Sequence, residues 1–281
     1  MVRIITDTTS DFEPWEYEKW NVTPVSLYIS FDDKVYEENI DITKEMFWEL
    51  LEQSNVNPKT SQPSPQVVED TLREAMEAED EAIFITISSG LSGTYQSICM
   101  IKEQLEYKNC YVFDSLTGTG GHRILVEQAA KMRDQGKNAK EIVAELEYMR
   151  DHMNLTVVMD TLEYLMRGGR ISRSTYAVGT LINIKPIMHV SPEGKPEVPA
   201  KVRGMRKGIA HLCKQVQMNR PDPNYPFYLM YTKDRRNALS LQEALKEIGY
   251  DIPDENIVPV GAAIGTHIGP YAVATVYVDS K

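Results

Sequence analysis

Short β-branched runs alternate along this chain with amphipathic helical patterns, and that alternation restricts the possible folds more than any other feature of the sequence. VRIITD, VTPVSLYISF, EAIFITIS and NCYVFDS read as strands, separated by helical patterns at TKEMFWELLEQS, PQVVEDTLREAMEA, SGTYQSICMIKEQLEY and HRILVEQAAKMRDQG. Such an order specifies sheets with crossover helices, an α/β fold. In the segment from Pro65, Val68, Leu72, Ala75 and Met76 recur at helical spacing between acidic residues, so one apolar stripe should face a sheet. After AKEIVAELEYMRDHM a second set begins, with strand candidates LTVVMDT, KPIMHVS, YPFYLMYT, IVPVG and VATVYVDS. The expected boundary is near Asn154, giving an N-terminal α/β domain over 1–154 and a C-terminal one over 155–281. No low-complexity linker separates them, and ligand sites favour such interfaces.

Ile257 to Val278 is nearly free of charge and about long enough to cross a bilayer. Gly261, Gly265, Gly269, Pro259, Pro270 and His267 interrupt it, so it is expected to be a buried strand, loop, strand unit with no stable membrane insertion. The opening MVRIITDTTSDF lacks the long apolar core of a secretory signal, and the three cysteines, Cys99, Cys110 and Cys213, lack Cys-x-x-Cys spacing. A cytoplasmic protein with reduced thiols is therefore expected. A net charge of -11 argues against coating nucleic acid or an anionic membrane. Motifs for metals, nucleotide phosphates and dinucleotides are missing, so neither a metal nor a cofactor is expected.

Three polar segments stand out from the apolar framework. In EAIFITISSGLSGTYQS a buried strand runs through a hydroxyl and glycine loop into a helix, with Ser92 where an N-cap belongs. The amides of Gly93, Thr94 and Tyr95 would then be free donors and, with the Ser92 and Thr94 hydroxyls, form a small anion pocket; Ser92 acting only as a cap is the equal alternative. In KTSQPSP, Thr60 and Ser61 precede two prolines, which by themselves indicate a stiff turn with Ser64 capping the next helix. In GAAIGTHIGPYA, His267 is expected in a short loop, where its imidazole could donate to a carboxylate or phosphate oxygen. Two basic clusters, YLMRGGRISR and KVRGMRK, run against the acidic background and suit a specific anionic partner.

Taken in order, TDTTSDF, KTSQPSP, ISSGLSGTYQS, VFDS, YLMRGGRIS, INIKPIM, KVRGMRKG and IGTHIGP resemble the bacterial DegV family along nearly the whole chain. The resemblance implies two α/β domains with a long-chain fatty acid between them, its carboxylate held by hydroxyls and its tail buried. It also implies a non-catalytic role as the binding subunit of a fatty acid kinase, which phosphorylates the bound acid for phospholipid synthesis. Carried onto this chain, the carboxylate ligands would be Thr60, Ser61, Ser92, the Gly93 amide and His267, and the kinase-facing positions Arg170, Arg173 and Arg203. The family usually has GPG after the histidine; here Gly269, Pro270 and Tyr271 follow, which puts the pocket shape near the headgroup in question.

The rival enzymatic reading is a serine hydrolase of acyl esters, because GLSGT approaches the Gly-x-Ser-x-Gly elbow with Asp160 and His267 in suitable chain order. Thr94 occupies the final glycine position of that elbow and counts against a nucleophile. A DNA-binding regulator would need a recognition module and a basic face, and neither is evident.

Overall fold

The structure, a computed structural model, describes residues 1–177 and 183–280. Ile182, the first residue of INIKPIM, lies outside the described residues. The first half comprises β1 (Val2–Asp7), a 3-10 turn (Thr8–Ser10), α1 (Pro14–Trp20), β2 (Thr23–Val25), β3 (Tyr28–Phe31), β4 (Lys34–Glu37) and α2 (Lys44–Gln53). It continues with β5 (Lys59–Ser61), α3 (Pro65–Glu77), β6 (Glu81–Thr86), α4 (Thr94–Gln104), β7 (Cys110–Asp114), α5 (Thr119–Asp134) and α6 (Ala139–Asp151). The second half comprises β8 (Met153–Val158), α7 (Glu163–Arg167), α8 (Arg173–Ala177), β9 (Ile184–Val190), β10 (Pro196–Arg203) and α9 (Met205–Met218). It ends with β11 (Tyr228–Tyr231), α10 (Arg236–Glu247), a second 3-10 turn (Asp254–Asn256), β12 (Ile257–Pro259), α11 (Ala262–Ile268) and β13 (Val273–Val278).

Among the described residues the strands form three sheets. One is wholly parallel in the order β2-β1-β6-β7, as crossover helices require. A small antiparallel sheet has the order β4-β3-β5. The third, β10-β9-β8-β13-β11-β12, is antiparallel except between β11 and β12. VTPVSLYISF, expected as one strand, is split between two sheets. After Val25 pairs with β1, the Leu27 amide is taken by the Thr8 hydroxyl at 3.1 Å, which leads the chain off the ladder.

Helix α5 lies between the parallel sheet and the six-stranded sheet, packing on β1 and β6 on one side and on β8, β11 and β13 on the other. Its first nine residues, Thr119 to Glu127, are buried without a break, as expected for a helix with no solvent face. The charges that this placement buries are paired. Arg123 bridges Glu16 of α1 and Glu127, the latter at 3.1 Å, and Tyr228 donates to Glu127 at 2.9 Å. Removing one partner of such a group leaves an uncompensated buried charge, worth about 3–5 kcal/mol.

Helix α3 follows its expected pattern, burying Val68, Leu72 and Ala75, although Ser64 makes no side-chain cap bond. The run Ile257 to Val278 corrects the strand, loop, strand expectation, because helix α11 stands between β12 and β13. Among the described residues no helix is long and apolar enough to cross a membrane.

A candidate carboxylate site closing an apolar cavity

The six-stranded sheet, the small sheet and the segments that leave the parallel sheet line a cavity of about 950 Å³, counting its open mouth. Thr60 and Ser61 reach it from β5, Ile87, Leu91 and Ser92 from the segment between β6 and α4, and Arg170 from the turn after α7. His267, Ile264 and Ile268 come from α11, and the floor is built by residues such as Val157, Met188, Met230 and Ala274 of the six-stranded sheet. Most of the lining is aliphatic, and the polar groups are few, as in sites that fix one end of an apolar ligand.

The loop after β6 is held from below by two acids, buried Asp7 and half-buried Asp114. Asp7 accepts from the Ile87 amide at 2.8 Å and from the Thr9 amide at 3.0 Å, while Asp114 accepts from the Ser89 amide at 3.0 Å. His122 of α5 bonds the Thr6 and Thr9 hydroxyls at 2.8 and 3.1 Å. This is the role of the TDTTSDF segment, which sequence reasoning left without one. The signal was available: acids and hydroxyls crowded at the end of a buried strand must find partners inside the protein.

Ser92 lies one position before the N-cap, which is Gly93. Its Oγ accepts from the Thr94 amide at 3.3 Å and lies 2.8 Å from the Thr94 hydroxyl. Gly93 itself is not among the residues lining the cavity. His267 stands on a seven-residue helix rather than in the expected loop. Gly261 begins that helix, and Asp11 and Glu38 cap it from below, accepting from the Gly261 and Ala263 amides at 3.0 and 2.8 Å. A Cβ on Gly261 would stand 2.8 Å from both carboxylates, so only glycine admits this double cap. Burial pushes the Asp11 carboxyl up to about 6 and that of Glu38 up to about 7, partly offset by their hydrogen bonds and by Lys44.

His267 Nε2 lies 2.8 Å from Thr60 Oγ1, while Nδ1 is buried with no hydrogen-bond partner. Burial, reinforced by the Arg170 charge, lowers its pKa to about 3, so the ring is neutral near pH 7. A neutral ring has one proton, and an orphaned N–H costs more than an orphaned lone pair. The proton therefore belongs on Nε2, which donates to Thr60 and leaves the threonine O–H free to donate onward to an acceptor in the cavity.

Arg170 completes this end. Its guanidinium donates to the Leu91 and Gly168 carbonyls at 3.1 and 2.6 Å and has no acidic partner among the described residues. The sequence motifs had grouped it with Arg173 and Arg203 on a docking face. Those two are exposed, whereas Arg170 is half-buried and lines the cavity. Tyr271 also departs from expectation. Its hydroxyl accepts from Lys233 at 2.8 Å, and it is not among the lining residues, so it does not shape the headgroup end directly.

The hydrolase constellation is not assembled. Asp160 pairs with Lys185, His267 pairs with Thr60, and Ser92 pairs with Thr94, so no proton path connects the three residues. Among the described residues no cluster of His, Cys, Asp or Glu could hold a metal ion.

Within this α/β framework, hydroxyls, a neutral histidine and an arginine with no acidic partner among the described residues line an otherwise mostly apolar cavity, a set of groups with the chemistry to accept a chain with an anionic head. Residues 1–280 match the DegV family, described as a family of uncharacterised proteins, and the chain belongs to it. It is 32% identical over 281 residues to a DegV domain-containing protein of Caldanaerobacter subterraneus subsp. tengcongensis, covering 100% of this chain and 99% of the other. A DegV family protein from Thermus thermophilus, described as binding fatty acid, superposes with a TM-score of 0.88 at 28% identity, covering 99% of both chains. A fatty acid binding DegV family protein from Streptococcus agalactiae likewise gives a TM-score of 0.88 at 27% identity, covering 100% of this chain and 99% of the other.

Proposed function

We propose that this protein binds one long-chain fatty acid, with the carboxylate at Thr60, Ser61, Ser92 and His267 and the acyl tail in the aliphatic cavity. The observation that carries the reading is the pairing of a mostly apolar cavity with one polar end whose only formal charge, on Arg170, has no acidic partner among the described residues. The fatty-acid binding described for the Thermus and Streptococcus relatives supports it. Binding energy comes chiefly from the tail, since each buried methylene contributes about 0.8 kcal/mol. The headgroup bonds, about 1.5–3 kcal/mol each to a charged acceptor, fix orientation and select acid over alcohol.

The test is to extract the purified protein for small-molecule mass spectrometry, then follow its melting as acids are added back. Ligand held only by the folded state raises stability by about 2.7 kcal/mol at a hundredfold excess over Kd. Long-chain acids should restore the melting temperature of delipidated protein, octanoate should do so poorly, and a fatty alcohol of matched length should fall between them. Equal stabilisation by short and long acids would mean that no tail is buried. The finer reading is presentation of the acid to a fatty acid kinase, without catalysis by this chain, in the cytoplasm. Exposed Arg173 and Arg203 supply the docking charge in that reading, and 1–154 and 155–281 the two domains. Charge reversal at both arginines should abolish kinase-coupled turnover while fatty-acid binding survives; intact turnover would place docking elsewhere.

A further inference from the structure

A second pocket of about 780 Å³, likewise counting its mouth, adjoins the cavity, and Leu155 and Val190 line both. The strands explain how. Side chains two residues apart share a face, so Met153, Leu155 and Val157 of β8 form one row. Met188 and Val190 of β9 form the neighbouring row, and the register Thr156↔His189 sets Leu155 opposite Val190. Val157 and Met188 line only the cavity, whereas Met153 and Pro192 line only the second pocket. A third segment makes the same passage, with Leu116 and Thr117 on the second pocket and Gly118 and Thr119 on the cavity. Both volumes therefore lie in succession along one face of the six-stranded sheet.

The direction of β8 orients the pair. The strand runs from Met153 towards the segment that carries Leu165 and Arg170, so Val157 is nearer the polar end and Leu155 farther from it. Beyond Leu155 the surroundings are mixed, with Arg150, Asp151 and Ser191 joining Leu116, Met153 and Pro192 around the second pocket. Leu155 and Val190, side by side on adjacent strands, stand where the two volumes meet, and their bulk would stop an acyl chain there.

Resting on the fatty-acid reading, we infer that Leu155 and Val190 are specificity-determining residues: they form the end wall of the acyl cavity and set the longest acid that the protein accepts. In the parent protein each added methylene should tighten binding by about fourfold until the wall is met, after which affinity should fall. The experiment measures affinities of hexadecanoic, octadecanoic, eicosanoic and docosanoic acids for the parent protein, for the double variant Leu155→Ala, Val190→Ala, and for Val190→Phe. Opening the wall should move the break to longer acids, with two extra methylenes gaining about fifteenfold over the parent at the new limit. Val190→Phe, which leaves no void, should move the break to shorter acids and keeps the test decisive if the double variant fails to fold. The same break point in parent and folded variants would overturn the wall while leaving fatty-acid binding in place. Failure of every acid to bind the parent would overturn the fatty-acid reading itself, and the wall with it.

Discussion

Gly168 offers the sharpest perturbation of the proposed headgroup site, because its effect is decided by one distance. A Cβ built on Gly168 would stand 2.1 Å from His267 Nδ1 and 2.7 Å from the neighbouring ring carbon. The backbone there is right-handed helical, at φ -74 and ψ -7, so alanine is conformationally allowed and the strain falls chiefly on the imidazole, the Tyr164 carbonyl being next at 3.2 Å. The ring must move away, and its bond to Thr60 at 2.8 Å cannot survive a displacement approaching an ångström. In the proposed site that movement removes the polarised threonine donor from the carboxylate, an interaction worth about 1.5–3 kcal/mol, or about 10- to 150-fold in Kd. Isothermal titration with a long-chain acid measures the loss, and circular dichroism establishes that the fold persists. A fatty alcohol, which presents no carboxylate, should lose far less. Full affinity for the acid in Gly168→Ala would refute the reasoning, since either His267 does not hold the headgroup or the ring moves without consequence.

Replacing Arg170 by Gln keeps much of the side-chain volume but removes the charge at the polar end, so the preference for acid over matched alcohol should shrink by about tenfold or more in competition binding; an unchanged preference would place the counter-charge elsewhere. The buried acid Glu38 makes a prediction in pH. Its carboxyl is pushed from 4.5 up to about 7 by burial, so between these values the folded protein holds a proton that the unfolded chain has released, and this contribution to stability falls as pH rises. His267, lowered from 6.5 to about 3, acts in the opposite sense, with stability gained as pH rises from 3 to 6.5. Glu38→Gln should therefore make stability climb more steeply between pH 4.5 and 6.5, by up to about 1.4 kcal/mol per pH unit, in denaturant titrations; parallel curves for parent and variant would exclude the protonated carboxyl.

The alternation of strand and helix patterns made the α/β class legible, and the spacing of Val68, Leu72 and Ala75 marked the buried face of α3. What escaped the sequence was structure stabilised at long range. Helix α11 is short and glycine-containing, and its start is capped by carboxylates 250 and 225 residues away in the chain, so no local propensity announces it. Arg170 looked like one charge of a basic surface cluster because its two carbonyl acceptors depend on how the Leu91 loop meets the turn at Gly168. Thr60, Ser92 and His267 were each ambiguous alone; that they line one cavity depends on how β5, the segment after β6 and α11 meet over the six-stranded sheet, which a linear pattern does not encode.

The position of β13 has a consequence for the order of assembly. It lies between β8 and β11, so without it the six-stranded sheet is two separate pieces, β10-β9-β8 and β11-β12. The same strand supplies Val273 and Ala274 to the cavity and Val276 to the core beneath α5. Joining the two pieces requires contacts between segments more than a hundred residues apart, the slow kind of closure in folding. Until that closure is made the cavity has no complete wall. In the proposed function the fatty acid would stabilise only the closed sheet, so a cell short of it would carry this protein in a form that opens more readily to proteases.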